Sequence, residues 1–307
     1  MISVVVATRD RPQLLAQCLE SVLAGERAPD ELIVVDNAPE RPATAALVRD
    51  RYPRVRLVAE PRPGAARARS AGLDAARGDV IAFVDDDVTV DRGWLAAIER
   101  GFAVTDDVGA VTTLILPAEL ETAAQVWLEQ FGGFAKGTQR RIFDLGEHRS
   151  SDRLYPYSPG VYGSGASMAF RTDLLRRFGF DARLTFGGED LDLFLQVVLG
   201  GHRLVYEPEA VAFHRHPREY AALRRTMFRY GAGLTALMTK WALSDPRLAL
   251  EIALRMPAAV RLALDPKSRK NAGRRTGYPR ELMWLERAGM LAGPFMFAGS
   301  RLRAHGR

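Results

Sequence analysis

Short, largely apolar runs recur along the first third of the chain, at residues 2–7, 32–35, 55–58 and 80–84, each only a few residues long and rich in Val and Ile. Runs of that length read as strands buried on both faces. Between them the apolar spacing changes to a helical one. Leu14, Leu15, Cys18, Leu19 and Val22 fall on one face of a helix that opens at Arg9-Asp10-Arg11-Pro12, with Pro near its first turn. Helices are likewise expected over residues 43–52 and over the Ala-rich 65–76. Strands alternating with helices predict βαβ units, a parallel sheet and right-handed crossovers.

Beyond the fourth strand the pattern predicts a helix to about residue 103 and a strand over 108–116. Regular signals thin out over 117–159, where Trp127, Phe131-Gly132-Gly133-Phe134, Tyr155 and Tyr157 stand among polar residues. A long irregular stretch is expected there, either a substrate loop whose aromatics stack on a sugar ring or a locally packed satellite cluster. Gly163-Ser164-Gly165 precedes a strand and lets backbone approach a ligand closely. A helix over 172–178, a second helix over 193–199 and strands at 203–206 and 211–216 follow. From Pro217 the pattern is helical throughout: 220–243, 247–264 with Pro257 as a kink or break, a basic linker over 267–280, and an apolar stretch over 282–302.

Charge divides the chain at the same point. From Pro217 onward 18 Lys and Arg face 6 Asp and Glu, against 25 and 31 before it. A mildly acidic body thus carries a basic tail, which suits contact with anionic lipid, a helical dimer face or plain solvation. Nothing in it matches a nucleic-acid module, so no nucleic-acid partner is expected. The single cysteine, Cys18, excludes an intrachain disulfide framework and points to a reducing compartment. The N-terminus has no basic segment before its apolar run, and no run reaches the ~18 residues of a membrane span, so the expected location is cytoplasmic, with peripheral attachment at the inner face of a membrane open.

The candidate chemistry collects at strand ends. The strand over 80–84 runs straight into Asp85-Asp86-Asp87. Adjacent carboxylates repel and are costly to desolvate, so they are stable together in water or around a cation, and oxygen donors of this kind suit Mg²⁺ or Mn²⁺ with substrate phosphates completing the shell. In a parallel sheet ligands sit beyond the carboxyl ends of the strands, so Thr8, Asp10, Asp36, Asn37 and Asp85 to Asp87 should share one crevice. A second acidic cluster, Gly187-Gly188-Glu189-Asp190-Leu191-Asp192, opens a helix, where acids also simply suit the helix dipole. His214 and His216 share a face of an extended chain, so one or both can turn toward a metal. Neither the dinucleotide Gly-x-Gly-x-x-Gly nor the P-loop is present.

These motifs, in this order, resemble the family 2 glycosyltransferases of GT-A fold: residues 4–11, Leu32 to Asn37, Gly64 with Ala68-Arg69-Ser70-Ala71-Gly72, the aspartate triplet, and Gly188-Glu189-Asp190-Leu191-Asp192. The resemblance covers roughly residues 1–216 and implies an α/β GT-A domain, with a nucleotide-sugar half over about 1–116, an acceptor half over 117–216, and a helical extension over 217–307. It implies inverting transfer of one sugar from a nucleotide diphosphate donor, with uridine or thymidine favoured, to an acceptor hydroxyl, with Mn²⁺ or Mg²⁺. By that resemblance Thr8, Arg9, Asp10, Asp36, Arg69, Asp85 and Asp86 would serve the nucleotide sugar, and Asp87, Asp85 and His214 the metal. Asp190 would be the general base beside Glu189, and Gly163, Ser164, Gly165, Trp127 and Asp192 would meet the acceptor. Ser70 stands where the family commonly has Asn, and the Gln/Arg-x-x-Arg-Trp motif of processive synthases is absent, which argues for single-sugar addition. Two other readings stay open: a sugar-1-phosphate nucleotidyltransferase, disfavoured because Ala7 to Pro12 lacks glycines, and a non-catalytic sugar-nucleotide or lipid-surface binding protein.

Overall fold

The computed structural model describes residues 1–274 and 277–305, with side chains through residue 302. Residues 275 and 276 of the expected 267–280 linker lie outside the described residues. In chain order the elements are β1 (Ile2–Thr8), α1 (Pro12–Leu23), β2 (Glu31–Asn37), α2 (Ala43–Arg51), β3 (Arg56–Glu60), α3 (Ala65–Ala75), β4 (Val80–Asp85), β5 (Val88–Val90), α4 (Trp94–Phe102), β6 (Val108–Pro117), α5 (Ala123–Phe131) and β7 (Arg141–Phe143). The chain continues through β8 (Ser167–Arg171), α6 (Thr172–Phe178), α7 (Glu189–Leu199), β9 (Arg203–His214), α8 (Tyr220–Ser244), α9 (Pro246–Leu264) and α10 (Arg280–His305).

The strands form one sheet in the order β3-β2-β1-β4-β8-β6-β9-β5, with β7 added on β9. From β3 to β4 every pairing is parallel, as the βαβ spacing predicts. Beyond β4 the sheet is mixed: β8 runs antiparallel to both β4 and β6, and β6 is parallel to β9. Strand alternation sends Val4 and Val6 to one core, with Leu15, Leu19, Trp94 and Ile98, and Val5 to the other, with Ile33, Phe83, Leu193 and Phe194. Both faces of the first strands are therefore covered, which is why their sequences are apolar without alternation.

The structure departs from the sequence expectation at three places. The 117–159 stretch is not irregular throughout; it holds α5 and β7. α5 begins at a capping box, with Thr122 and Gln125 each satisfying the other's backbone N–H, and Thr-x-x-Gln is a signature that the sequence carries openly. The two strands expected at 203–206 and 211–216 are one bent strand, β9, whose pairing with β6 shifts register between Thr113 and Leu114. And the aspartate triplet does not end in open coil. Asp86 and Asp87 are the turn that leads into β5, which hydrogen-bonds to β9 with Val88 opposite His214.

The C-terminal helices dock on the sheet domain. α8 buries Leu223 and Met227 against Ala124 and Leu128 of α5 and Leu282 of α10. α8 and α10 approach so closely at Gly231, Gly289 and Gly293 that a Cβ on any of them would overlap backbone or side-chain oxygen of the facing helix.

Candidate active site

A cleft of about 1060 Å³ opens at the carboxyl ends of β1, β2 and β4. It is walled on one side by Thr8, Arg9, Arg11, Asn37, Gly64, Arg69 and Asp85 to Asp87. This is where the topology of a parallel sheet places a ligand.

The first wall is tied together by charge. Arg69, buried on α3, donates from Nη2 to Asp85 Oδ1 at 2.8 Å and to the Gly165 carbonyl at 3.1 Å, and from Nη1 to Glu189 Oε1 at 2.8 Å. One guanidinium thus fixes the end of β4, the glycine loop before β8 and the first turn of α7. Burial pushes the Glu189 carboxyl upward, opposed by the charge of Arg69. Asn37 holds the adjoining loop by donating to the carbonyls of Glu60 and Arg62 and accepting from Gly64 N at 3.0 Å.

Within the triplet the three acids have different surroundings. Asp85 belongs to Arg69. Asp86 is buried and accepts from Thr8 Oγ1 at 2.7 Å and from Arg11 Nη1 at 3.2 Å. Burial raises its pKa to about 6, against the pull of Thr8 and Arg11. Asp87 shares Arg11 Nη1 at 3.2 Å, and burial, followed by the charge of Asp85, pushes it upward as well. Its Oδ1 stands 3.6 Å from His214 Nε2. His214 is held by His216, Nδ1 to Nδ1 at 2.9 Å, and His216 in turn by Glu129 at 2.7 Å. Burial lowers the His214 pKa to about 4, so the ring is neutral near pH 7. A carboxylate facing a neutral imidazole is a donor pair that fits Mn²⁺ or Mg²⁺, which take few protein ligands and complete their shell with water and phosphate. Among the described residues no group of three or more His, Cys, Asp and Glu is arranged around one point.

Across the cleft Asp190 accepts a hydrogen bond from Gly165 N at 2.6 Å. A Cβ on residue 165 would stand 2.7 Å from Asp190 Oδ2, so only glycine leaves this carboxylate its place. Gly188, with φ of 96°, turns the chain into α7 and puts Glu189 and Asp190 at the helix start. Gly163 and Ser164 line the same wall.

The structure gathers most of the expected residues here and leaves four outside the cleft's lining. Trp127 packs edge-on against Tyr220, 5.5 Å between centroids, in the cluster under α8. Asp192 is fully buried and binds Lys240, Trp241 and Gln196, which makes it a tie between α7 and α8 rather than an acceptor contact. Asp10 accepts from Glu40 N at 3.0 Å on the exposed rim. Asp36 is buried beside Thr8 in the β1–β2 ladder, with Oδ1 lacking a hydrogen-bond partner among the described residues.

Sequence reasoning missed the far wall. Thr226, Arg229, Tyr230, Gly233 and Leu234 of α8, Leu262 of α9, Arg269 and Lys270 of the linker and Glu286 of α10 all line the cleft. The division at residue 216 therefore separates sheet from helices but not site from tail. Burial pushes the Tyr230 phenol far upward, so it stays neutral, and its ring lies 5.8 Å from Phe131. Arg9, Arg11, Arg69, Arg269 and Lys270 each have a carboxylate partner, whereas Lys136, Arg141 and Arg229 have none among the described residues.

Residues 3–174 match the protein family described as Glycosyl transferase family 2. The pre-mycofactocin glycosyltransferase of Mycobacterium tuberculosis is 31% identical over 153 residues, 50% of this chain and 30% of that protein. The succinoglycan biosynthesis protein ExoO of Rhizobium meliloti is 42% identical over 233 residues, 71% of this chain and 61% of the relative. The chain thus spans less than two thirds of the length of either relative. Among solved structures, a mannosyltransferase from Pyrobaculum calidifontis, PcManGT, in complex with GDP-Man and Mn²⁺, superposes with a TM-score of 0.60 at 20% identity, covering 98% of this chain and 86% of that one. TarS residues 1–349 from S. aureus superpose with a TM-score of 0.56 at 15% identity, covering 95% and 90%. At these identities the likeness establishes the fold, and the family match speaks for glycosyl transfer over the nucleotidyltransferase reading. The chain belongs to glycosyl transferase family 2 and has the GT-A fold.

Proposed function

We propose that this glycosyltransferase moves one sugar from a nucleotide diphosphate sugar to an acceptor hydroxyl, with inversion at the anomeric carbon. The observation that carries the reading is the opposition of two carboxylates across one cleft: Asp87, paired with His214 on the sheet side, and Asp190, fixed by Gly165 N on the side of α7.

On this reading the donor enters with its nucleoside over Thr8, Arg9 and Asn37 and its diphosphate toward Asp87. Asp87 and His214 would hold Mn²⁺ or Mg²⁺, which supplies positive charge against the leaving diphosphate. Asp85 has one oxygen engaged by Arg69, so its weight falls on positioning rather than ligation. Lys136, Arg141 and Arg229 are the positive charge left available to phosphates on substrates. Asp190 accepts the proton of the acceptor hydroxyl as it attacks from the face opposite the diphosphate, and a single in-line displacement inverts the centre. Gly165 N steadies one oxygen of Asp190 while the other remains for the acceptor.

The test is a binding and turnover pair. A thermal-shift screen of nucleotide diphosphates and their sugars with and without Mn²⁺ names the donor, since a ligand that binds only the folded state raises the melting temperature. With that donor, Asp190→Asn should retain the shift and lose transfer by about 10²–10⁴-fold, and the product's anomeric configuration should be opposite to the donor's. A donor shift indifferent to Mn²⁺ and EDTA would remove the metal from the scheme, and retained configuration would remove Asp190 as base.

A further inference from the structure

α10 has two unlike faces. Leu282, Glu286, Gly289, Gly293, Phe297 and Ser300 are buried on the side of α8 and the linker. The outward line is Trp284, Ala288, Leu291, Phe295, Ala298 and Leu302, spaced four and three residues apart in turn, so it forms one straight apolar stripe. Trp284 is 65% exposed, Leu291 76%, Phe295 80% and Leu302 76%. α9 has no buried residue at all, and Leu250 (61% exposed) and Leu254 (71%) share a line with Pro257 and Leu264. The two helices adjoin where Arg287 lays its guanidinium over the Trp284 ring at 5.4 Å and donates to the Ala263 carbonyl at 3.5 Å. Contiguous apolar surface of this extent marks a contact.

A second copy of the chain and a lipid surface would both cover it, and charge separates them. Arg287 flanks the α10 stripe, and Arg247 and Arg261 lie on or beside that of α9. The acids of α10 are turned elsewhere: Glu281 pairs with Arg224 at 2.7 Å, and Glu286 is buried against Lys270 and Arg274. A self-pairing through these stripes would bring two strongly basic tails together. Anionic headgroups supply the opposite charge while the acyl boundary takes the apolar stripe. Among the described residues no helix is long and apolar enough to cross a membrane, so the helices would lie on the surface.

We propose that α9 and α10 seat this protein on an anionic bilayer, with Trp284, Leu291, Phe295, Leu250 and Leu254 at the headgroup–acyl boundary and the flanking arginines among the headgroups. The seat does not depend on the transfer chemistry, so its test uses no activity. The full chain is sedimented with vesicles of phosphatidylcholine containing phosphatidylglycerol and with vesicles of phosphatidylcholine alone, and tryptophan emission is followed in parallel. The protein should bind the anionic vesicles, release several-fold as salt rises, and shift its emission to the blue. Trp94 is buried, and Trp127 and Trp241 are packed, so the shift belongs to Trp284 and should vanish in Trp284→Phe with binding largely kept. Leu291→Ser with Phe295→Ser, and separately Leu250→Ser with Leu254→Ser, should lower partitioning by on the order of tenfold or more at an unchanged melting temperature. No sedimentation with anionic vesicles overturns the proposal. So does a dimer, seen by light scattering, that the Leu291→Ser/Phe295→Ser protein loses while vesicle binding is unaffected.

Discussion

Replacing Arg69 by Ala tests the reasoning about the site most directly, because one guanidinium joins three segments distant in sequence. The substitution deletes the 2.8 Å contacts to Asp85 and Glu189 and the 3.1 Å contact to Gly165 O. Glu189 has a side chain only 9% exposed and is left without its cation, while Asp85 at 33% can recover some hydration. Breaking a buried pair by removing one partner costs about 3–5 kcal/mol. Glu189 can limit the loss by taking up a proton, since its carboxyl is already pushed upward by burial, so the lower end of that range is the better expectation. For a chain of this size roughly 2 °C of melting temperature goes with each kcal/mol, which predicts a fall of about 6 °C. Removing the charge that was stranded should restore part of it. Arg69→Ala with Glu189→Gln is expected to unfold later than Arg69→Ala alone, with a coupling of about 0.5–3 kcal/mol in a double-mutant cycle. Thermal and urea unfolding of the four proteins supply the cycle. An Arg69→Ala melting point within 2 °C of the parent, or strictly additive single effects, would refute the claim that these carboxylates depend on this cation.

Other outcomes follow from the same geometry. Gly165→Ala should leave the fold intact and lower kcat by about 10²-fold, because its Cβ would displace the Asp190 carboxylate; an unchanged kcat would show that this oxygen is not held where the structure has it. Asp86 titrates near 6 in the folded state against an ordinary carboxylate value near 4, so the folded protein binds more protons between those values. Stability from this group is then present below about pH 4 and lost as pH rises through 6. Asp86→Asn should therefore raise the melting temperature at pH 7 and flatten its pH dependence between 4 and 6, and a destabilised Asn variant at pH 7 would contradict this. Asp192→Ala removes the bonds from Lys240, Trp241 and Gln196 and leaves Lys240 to Asp181 alone; it should cost about 3 kcal/mol by urea unfolding, with donor binding intact if Asp192 is structural.

Much of the sheet half was legible in sequence because its signals are local. Four apolar runs with helical spacing between them specify β1 to β4, and the carboxyl-end rule then places Thr8, Asn37 and the triplet together without coordinates. The 117–159 stretch was less legible, although Thr122 and Gln125 announce a helix start. β7 is three residues long and exists only because β9 offers it an edge. Asp192 and Trp127 look like site residues by composition, since an acid in a motif and an aromatic in a loop carry no mark of which way they point. Burial decided the first, and packing against Tyr220 the second. The cations and Tyr230 on α8 were invisible for the opposite reason: nothing in a helical repeat says which cleft it will cover.

By itself the sequence determined the order of β1 to β4 and the helices between them, the βαβ half of the sheet and the identity of the acids at its exit, because each depends on neighbours within a few residues. Tertiary structure decided how those acids differ. Asp85, Asp86 and Asp87 are adjacent and chemically identical, yet one is tied to Arg69 of α3, one is buried under Thr8 and Arg11, and one faces His214, 127 positions further along the chain. Solvation and the nearest opposite charge set a carboxylate's role, and both are supplied by segments that only folding brings alongside.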